Sequence, residues 1–124
     1  MNKNSPFSAA LPVYSDGEVD IQKLSSLMGI HKKDVADLIG VSQSTAQRKP
    51  TTSTLSKAQP ILYLLNMLWV IFEGTNKPQE VRRWLNEPRV VWRGLTPIDC
   101  IKMGKLKSVT EFLETHLEGE ISGV

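Results

Sequence analysis

The sequence predicts an all-α protein, built as a small helical bundle. Apolar residues recur at helical spacing in several segments, and each segment is bounded by a glycine, a proline or a side chain that can cap a helix. No segment shows the alternating pattern of a half-buried strand. The chain has 124 residues, 40% of them hydrophobic and 23% charged, so it is long enough to bury a real core.

The N-terminal end of the sequence predicts a loose arm followed by a first helix. Residues 1–15 hold two prolines and several small polar residues, a composition typical of a flexible arm. The acidic cluster at 16–20 lacks the glycine position and the distal glutamate of a calcium loop, so it indicates the charged start of a helix. Apolar residues at helical spacing continue to Met28, and Gly29 is the expected stop.

Two short helices and a linker are expected next. The pattern predicts a helix over 32–39 that Gly40 ends, and a third helix that begins at Ser42 as its N-cap. Pro50 fixes the end of that third helix just before it, because the residue preceding a proline rarely stays helical. Residues 51–54 are polar and form the expected linker between the two halves of the chain.

The second half of the chain predicts four further helices, marked by prolines near their starts or glycines at their ends. Thr96 and Pro97 combine a capping side chain with a residue whose missing N–H costs little at a helix start. The predicted ranges are 55–73, 78–86, 97–103 and 107–117, with Gly119 as the final stop.

One predicted helix is apolar over nearly its whole surface. Residues 61–72 are apolar apart from Asn66, so this helix must be buried on almost all sides. Two explanations remain open: the run forms a partner surface, most simply in a homodimer, or it is the central helix of a single bundle. The run is well short of the roughly 20 residues that a membrane helix needs, so we expect a soluble protein without membrane contact.

The sequence offers little for catalysis or metal binding. Cys100 is the single cysteine, and His31 and His116 are the only histidines, too few for a zinc site of the usual spacing. A lone cysteine excludes an intrachain disulfide and favours a reducing, cytoplasmic setting. A Cys100–His catalytic pair stays open, although a small buried hydrophobe is the simpler role for Cys100. We therefore expect no enzyme, no metal and no cofactor.

The segment 32–49 has the pattern of a helix-turn-helix. Ala36 is small enough for a second helix to cross close above the first, and Gly40, four residues later, permits a tight turn. Val41 would fill the elbow between the helices, and Ser42 would cap the second helix. The inward-facing positions are then Val35, Ile39 and Ala46.

The exposed side chains of this segment suit the major groove of DNA. Glutamine can pair with adenine and arginine with guanine, each good pair giving about 1–3 kcal/mol of discrimination. Five basic against two acidic residues between positions 32 and 57 give a local charge of +3, which favours phosphate contacts. A purely structural helical hairpin is the alternative. The predicted DNA-binding residues are Lys32, Lys33, Ser42, Gln43, Ser44, Thr45, Gln47, Arg48 and Lys49.

A spaced series of residues continues this pattern through the second half of the chain. The series comprises Gly40, Ser42, Thr45 and Arg48, then Val81, Trp84, Leu85, Pro88, Gly94, Thr96, Pro97, Gly104, Val109, Leu113 and Gly119. On these residues the chain resembles the antitoxins of the MbcA/ParS/Xre group over residues 24–119. It departs from that family at Arg89, where asparagine is usual, and in the short helix before Pro50.

The resemblance implies a protein with two partners. Antitoxins of this group neutralise RES-type toxins, which consume NAD or transfer part of it, and they bind operator DNA as dimers to repress their own operon. The resemblance implies a helix-turn-helix region over 16–54 and a C-terminal dimerisation and toxin-binding domain over 55–124. A stand-alone transcriptional regulator without a toxin is the alternative. The implied toxin-binding residues are Arg83, Trp84, Gly94, Leu117, Glu118, Gly119, Glu120 and Ile121.

Overall fold

Helices dominate the structure, as the sequence predicts. The structure is a computed structural model that describes residues 11–48, 51–52 and 58–121, with side chains described at 11–45 and 58–116. In this part of the chain no helix is both long enough and apolar enough to cross a bilayer. The helices are α1 (Ile21–Met28), α2 (Lys32–Ile39), α3 (Gln43–Arg48), α4 (Gln59–Ile71), α5 (Lys77–Leu85), α6 (Pro97–Lys102) and α7 (Leu106–Ile121).

The chain also forms a small antiparallel sheet, with two strands before the first three helices and one strand after them. The prediction that the chain has no strands was wrong. The strands are β1 (Tyr14–Ser15), β2 (Glu18–Asp20) and β3 (Thr51–Thr52), in the order β1-β2-β3. Asp16 and Gly17 join β1 to β2 with φ of 52° and 80°, the left-handed pair that a tight hairpin turn requires. Strands of two or three residues are too short to show an alternating pattern.

The sheet also corrects the expected arm and linker. Within the predicted arm, Leu11 and Val13 are buried in the core, so the arm is not loose over 11–15. Within the predicted linker, Thr51 and Thr52 pair with β2, while residues 53–54 lie outside the described part. Because β2 leads directly into α1 and β3 follows α3, the sheet joins the two ends of the three-helix segment.

Glycines in the left-handed conformation end α1 and α2, as predicted. The φ angle is 71° at Gly29 and 77° at Gly40, a conformation in which a Cβ atom is strained. Asp20 caps α1 by accepting the backbone N–H of Lys23 at 3.1 Å, so the helix begins after the acidic cluster and not within it. The bounds of α2 agree residue for residue with the prediction.

The apolar helix α4 lies at the centre of the bundle. Seven of its 13 residues are buried by the rest of this one chain: Ile61, Leu62, Leu64, Leu65, Met67, Leu68 and Trp69. The central-helix explanation therefore accounts for the apolar run, while dimerisation through it stays a prediction. Tyr63 and Val70 are its exposed large residues. The helix begins at Gln59, later than the predicted start, and Pro60 lies in its first turn where no N–H is needed.

The remaining helices follow the predicted order with two differences. Thr96 and Asp99 form a capping box at the start of α6, in which each side chain accepts the other's backbone N–H at 3.0 Å. A 3-10 helix at Val90–Trp92 was not predicted. Gly119 is not the expected stop, because α7 continues through it to Ile121. A glycine inside a helix costs only about 1 kcal/mol, which neighbouring residues can outweigh.

Buried residues from both halves of the described chain form one hydrophobic cluster. Val19, Leu24 and Met28 from the first half join Leu64 and Leu85 from the second. The predicted boundary between 54 and 55 lies among residues 53–57, outside the described part, so the division into two domains stays a prediction. Cys100 is 5% exposed and belongs to this cluster, which confirms its expected role as a small hydrophobe.

Candidate functional site

Helices α2 and α3 are joined by a three-residue turn, which a backbone hydrogen bond and buried apolar side chains hold in place. Gly40 turns the chain, and the backbone N–H of Val41 donates to the carbonyl of Ala36 at 2.8 Å. Val35, Ala36 and Ile39 are at most 1% exposed, as expected for inward-facing positions, while Ala46 lies outside the described side chains. Burial of this apolar stripe fixes α2 against the core, and the short turn restricts the direction in which α3 leaves it.

Ser42 caps α3 as the sequence predicts. Its Oγ accepts the backbone N–H of Thr45 at 3.2 Å and donates to Thr45 Oγ1 at 2.7 Å. The cap satisfies one of the N–H groups that have no intrahelical partner at a helix start. Ser44 is exposed on the same turn, so α3 begins with a small polar surface.

Gln43 contacts α2 through its side chain. Its Nε2 donates to the carbonyl of Lys33 at 3.0 Å and to Asp37 Oδ1 at 3.1 Å. These two bonds use both amide hydrogens, which leaves only Oε1 to accept a bond from another molecule. The two-bond pairing with adenine that the sequence suggested therefore requires Gln43 to release its bonds to α2, and its DNA contact stays a prediction.

Basic side chains lie on the exposed surface of α2. Lys32 and Lys33 are exposed at its first turn, beside the start of α3. Asp34 forms an ion pair with Lys102 of α6 at 3.4 Å, so this carboxylate is balanced by a cation from the second half of the chain. Of the other predicted DNA-binding residues, the side chains of Gln47 and Arg48 and the whole of Lys49 lie outside the described part.

The described residues implied in toxin binding lie on α5, in the loop before α6 and on α7. Arg83 is exposed on α5 between Glu80 at 3.3 Å and Glu87 at 3.5 Å. Trp84 is half-buried, and Gly94 lies in the loop before α6 with φ of 89°. The backbone of residues 117–121 belongs to α7, but the side chains of Leu117, Glu118, Glu120 and Ile121 are outside the described set.

An aromatic row supports the loop that precedes α6. Trp84 meets Trp92 edge to face with ring centroids 6.3 Å apart, and Trp92 meets Phe112 of α7 at 5.2 Å. The Arg89 guanidinium lies 4.8 Å from the Trp84 ring centroid, where a cation is attracted to the ring face. Trp84 and Arg89 therefore hold the loop in place, which gives Trp84 a packing role beside the implied binding role.

The described side chains show no metal centre and no hydrogen bond between Cys100 and a histidine. No group of three or more potential metal ligands comes together among them. Burial raises the pKa of the Cys100 thiol, and the neighbouring Asp99 carboxylate adds to the rise, so a thiolate is disfavoured. His116 stacks against Phe112 at 5.0 Å, and His31 is exposed, so neither is placed as a base for Cys100 in the described contacts.

The fold and these surfaces define a small, mostly helical protein. Comparisons of the chain with protein-family models, curated proteins and solved structures find no match. Two surfaces stand out: the α2–α3 surface, with Lys32, Lys33 and Ser44, and the loop before α6. Sequence reasoning missed the exposed Val90 and Val91 of that loop, although two adjacent β-branched residues between Pro88 and Gly94 were the signal available.

Proposed function

We propose that this protein is the antitoxin of a type II toxin-antitoxin system. In this proposal it binds and neutralises a RES-type toxin, one that consumes NAD or ADP-ribosylates, and binds operator DNA to repress its own operon. The observation that carries the proposal is that two short helices, joined by a capped three-residue turn, share one chain with the motif series at 81–113. The two parts suit two different partners.

The α2–α3 surface supports the DNA-binding half of the proposal. We propose that these helices form a helix-turn-helix with α3 entering the major groove. Lys32 and Lys33 are exposed and can meet phosphates. Ser44, whose Oγ lies 3.5 Å from Ser42 Oγ, is also exposed and can meet base edges together with Oε1 of Gln43. A homodimer would present two such helices about 34 Å apart, the length of one turn of DNA.

The motif series in the second half supports the toxin-binding half. Its residues have definite local roles: Thr96 caps α6, and Gly94 and Gly104 have φ of 89° and 82°. Its aliphatic members Val81, Leu85, Val109 and Leu113 are at most 2% exposed. These local roles give the spacing of the series a physical reason in this fold, and the toxin partner rests on the resemblance itself.

DNA binding is tested with the purified chain and a fluorescent duplex that contains the promoter of its own operon. Anisotropy titrations over a range of salt should show affinity that falls as salt rises, because bound phosphates release counterions. Lys32→Ala and Arg48→Ala should weaken binding, whereas Lys107→Ala, on α7, should not. Equal binding by all variants, or none by the wild type, would reject the DNA-binding half.

Neutralisation is tested with the protein encoded by the adjacent gene. That protein should consume NAD or modify an acceptor, and addition of the purified chain should stop the reaction at about equal molar amounts. Arg48→Ala should inhibit as well as the wild type, because the proposal assigns Arg48 to DNA. Tight promoter binding with no effect on the neighbour's product would favour the stand-alone regulator instead.

A further inference from the structure

The loop before α6 exposes several large apolar side chains to solvent. Val90 is 97% exposed and Val91 is 59% exposed, the highest values among the large apolar residues of this loop. Leu95 and Met103 are also exposed, at 38% and 61%. Isolated exposed apolar residues are ordinary, but a contiguous group in one place marks an interaction surface.

The backbone holds this loop in one shape. The N–H of Arg89 donates to the carbonyl of Leu95 at 3.0 Å, and the N–H of Gly94 returns to the carbonyl of Arg89 at 2.9 Å. Arg93 adopts φ of 56°, an unfavourable value for a residue with a Cβ. Trp92 anchors the 3-10 helix on Phe112 from below. A rigid loop that displays apolar side chains loses little conformational entropy when a partner binds.

A groove runs beside the loop and combines apolar walls with positive charge. Its volume is about 250 Å³, and the walls include Val91, Leu95, Met103, Arg93 and Lys105. We name this groove together with Val90 the valine surface. A groove of this size admits one or two side chains of a partner, and its basic members lie where carboxylates beside those side chains would reach them.

The charge around the valine surface indicates the chemistry of what it binds. Residues 88–108 hold five basic side chains and one acidic, a net +4, so the rest of the chain carries −2 of the total +2. Lys102 and Arg89 have acidic partners at 3.4 and 3.9 Å. Arg93 and Lys105 have none in the part of the chain that the structure describes. Those two cations are available to a partner.

We infer that the valine surface docks a partner protein through an apolar side chain flanked by carboxylates. The inference rests on the proposed function, in which that partner is the neutralised protein. A nucleic acid is the weaker alternative, because phosphates would meet Arg93 and Lys105 but leave Val90 and Val91 in water. A protein segment with an apolar centre and an acidic rim satisfies both features.

The test measures binding of the purified adjacent-gene protein by isothermal titration calorimetry. Val90→Ser should weaken binding about tenfold, because burial of an exposed valine side chain at an interface raises the affinity by roughly that factor. Lys105→Glu should weaken binding by at least as much, with a smaller salt dependence. Val70→Ser, an exposed valine on α4, and Lys107→Glu, a nearby lysine outside the groove, are the matched controls and should bind as the wild type does.

Each outcome decides between the inference and the proposal on which it rests. Because Val90 is almost fully exposed, Val90→Ser should melt at the wild-type temperature, so loss of binding cannot come from unfolding. If the wild type binds the adjacent-gene protein and Val90→Ser and Lys105→Glu bind it equally well, the valine surface is not the docking site and the proposed function survives. If the wild type does not bind, the proposed function fails and the inference fails with it. If both variants instead lose binding to the promoter duplex, the valine surface binds nucleic acid.

Discussion

Asn86, directly after α5, donates a hydrogen bond of 2.9 Å from its side chain to the backbone carbonyl of Met28 at the end of α1. Arg82, one turn earlier, donates from Nε to the carbonyl of Ser26 at 2.8 Å. The last carbonyls of a helix have no partner within it, and here a second helix supplies donors for them. The contact joins residues 58 positions apart, so it links the two halves of the described chain.

Replacement of Asn86 by alanine should destabilise the protein. The change removes the bond to Met28 and leaves that carbonyl partly buried without a donor, a loss of about 1–2 kcal/mol in the free energy of unfolding. Asn76→Ala is the matched control, because Asn76 lies at the start of α5 without a capping bond and should change stability little. Urea denaturation measures both. Equal effects of the two variants would contradict the account of Asn86.

Gly29→Ala should be more costly than the same change at Gly74. Both glycines have positive φ, 71° and 88°, so alanine is strained at each by about 1 kcal/mol. A Cβ at Gly29 would also lie 2.7 Å from Cγ of Arg82, whereas nothing lies within 4 Å of one at Gly74. In denaturation experiments, Arg82→Ala should reduce the difference between the two glycine variants. Additive effects of Gly29→Ala and Arg82→Ala would show that the close approach does not matter.

Asp20 should contribute stability that disappears in acid. The hydroxyl of Ser15 donates to Oδ2 at 2.7 Å and, with the backbone N–H of Lys23, lowers the pKa of Asp20 against the opposing effect of partial burial. A lowered folded pKa means that the stabilisation is present above the unfolded value, about 4, and is lost as pH falls through the folded one. Asp20→Asn should flatten the acid side of a stability-against-pH curve. An unchanged slope would contradict this assignment.

Gln43 and Ser44 are adjacent, but alanine should affect them differently. Gln43→Ala removes two bonds to α2 and should lower the free energy of unfolding by about 1 kcal/mol, as well as weaken DNA binding. Ser44 is exposed, so Ser44→Ala should leave the free energy of unfolding within about 0.5 kcal/mol of the wild-type value. The same change should weaken DNA binding. Denaturation and anisotropy on the same samples separate the two. A stability loss confined to Ser44→Ala would reverse the argument.

Local signals in the sequence were sufficient to predict helix ends where a single residue starts or stops the helix. Gly40 predicted the end of α2, and Thr96 with Pro97 predicted the start of α6. The sheet was missed because β3 pairs with β2 from more than thirty positions away, and a two-residue strand has no pattern of its own. The Asp16-Gly17 turn was a usable signal, since Asp-Gly favours the left-handed pair.

For the candidate site, sequence reasoning identified residue types and missed their contacts. The exposure of Lys32 and Lys33 agrees with their expected role, and Ser42 caps α3 as predicted. The hydrogen bond from Gln43 to Asp37 depends on the angle between α2 and α3, which cannot be predicted from the spacing of residues in the sequence. The exposure of Val90 depends in the same way on how Trp92 packs on α7.

Growth of cells that express the adjacent gene tests the proposed function most directly. Production of that gene's protein alone should arrest growth, and co-production of this chain should restore it. Arg48→Ala should restore growth as well as the wild type does, because the proposal assigns Arg48 to DNA and not to the partner. Continued arrest in the presence of the folded wild-type chain would contradict the claim that this protein is an antitoxin.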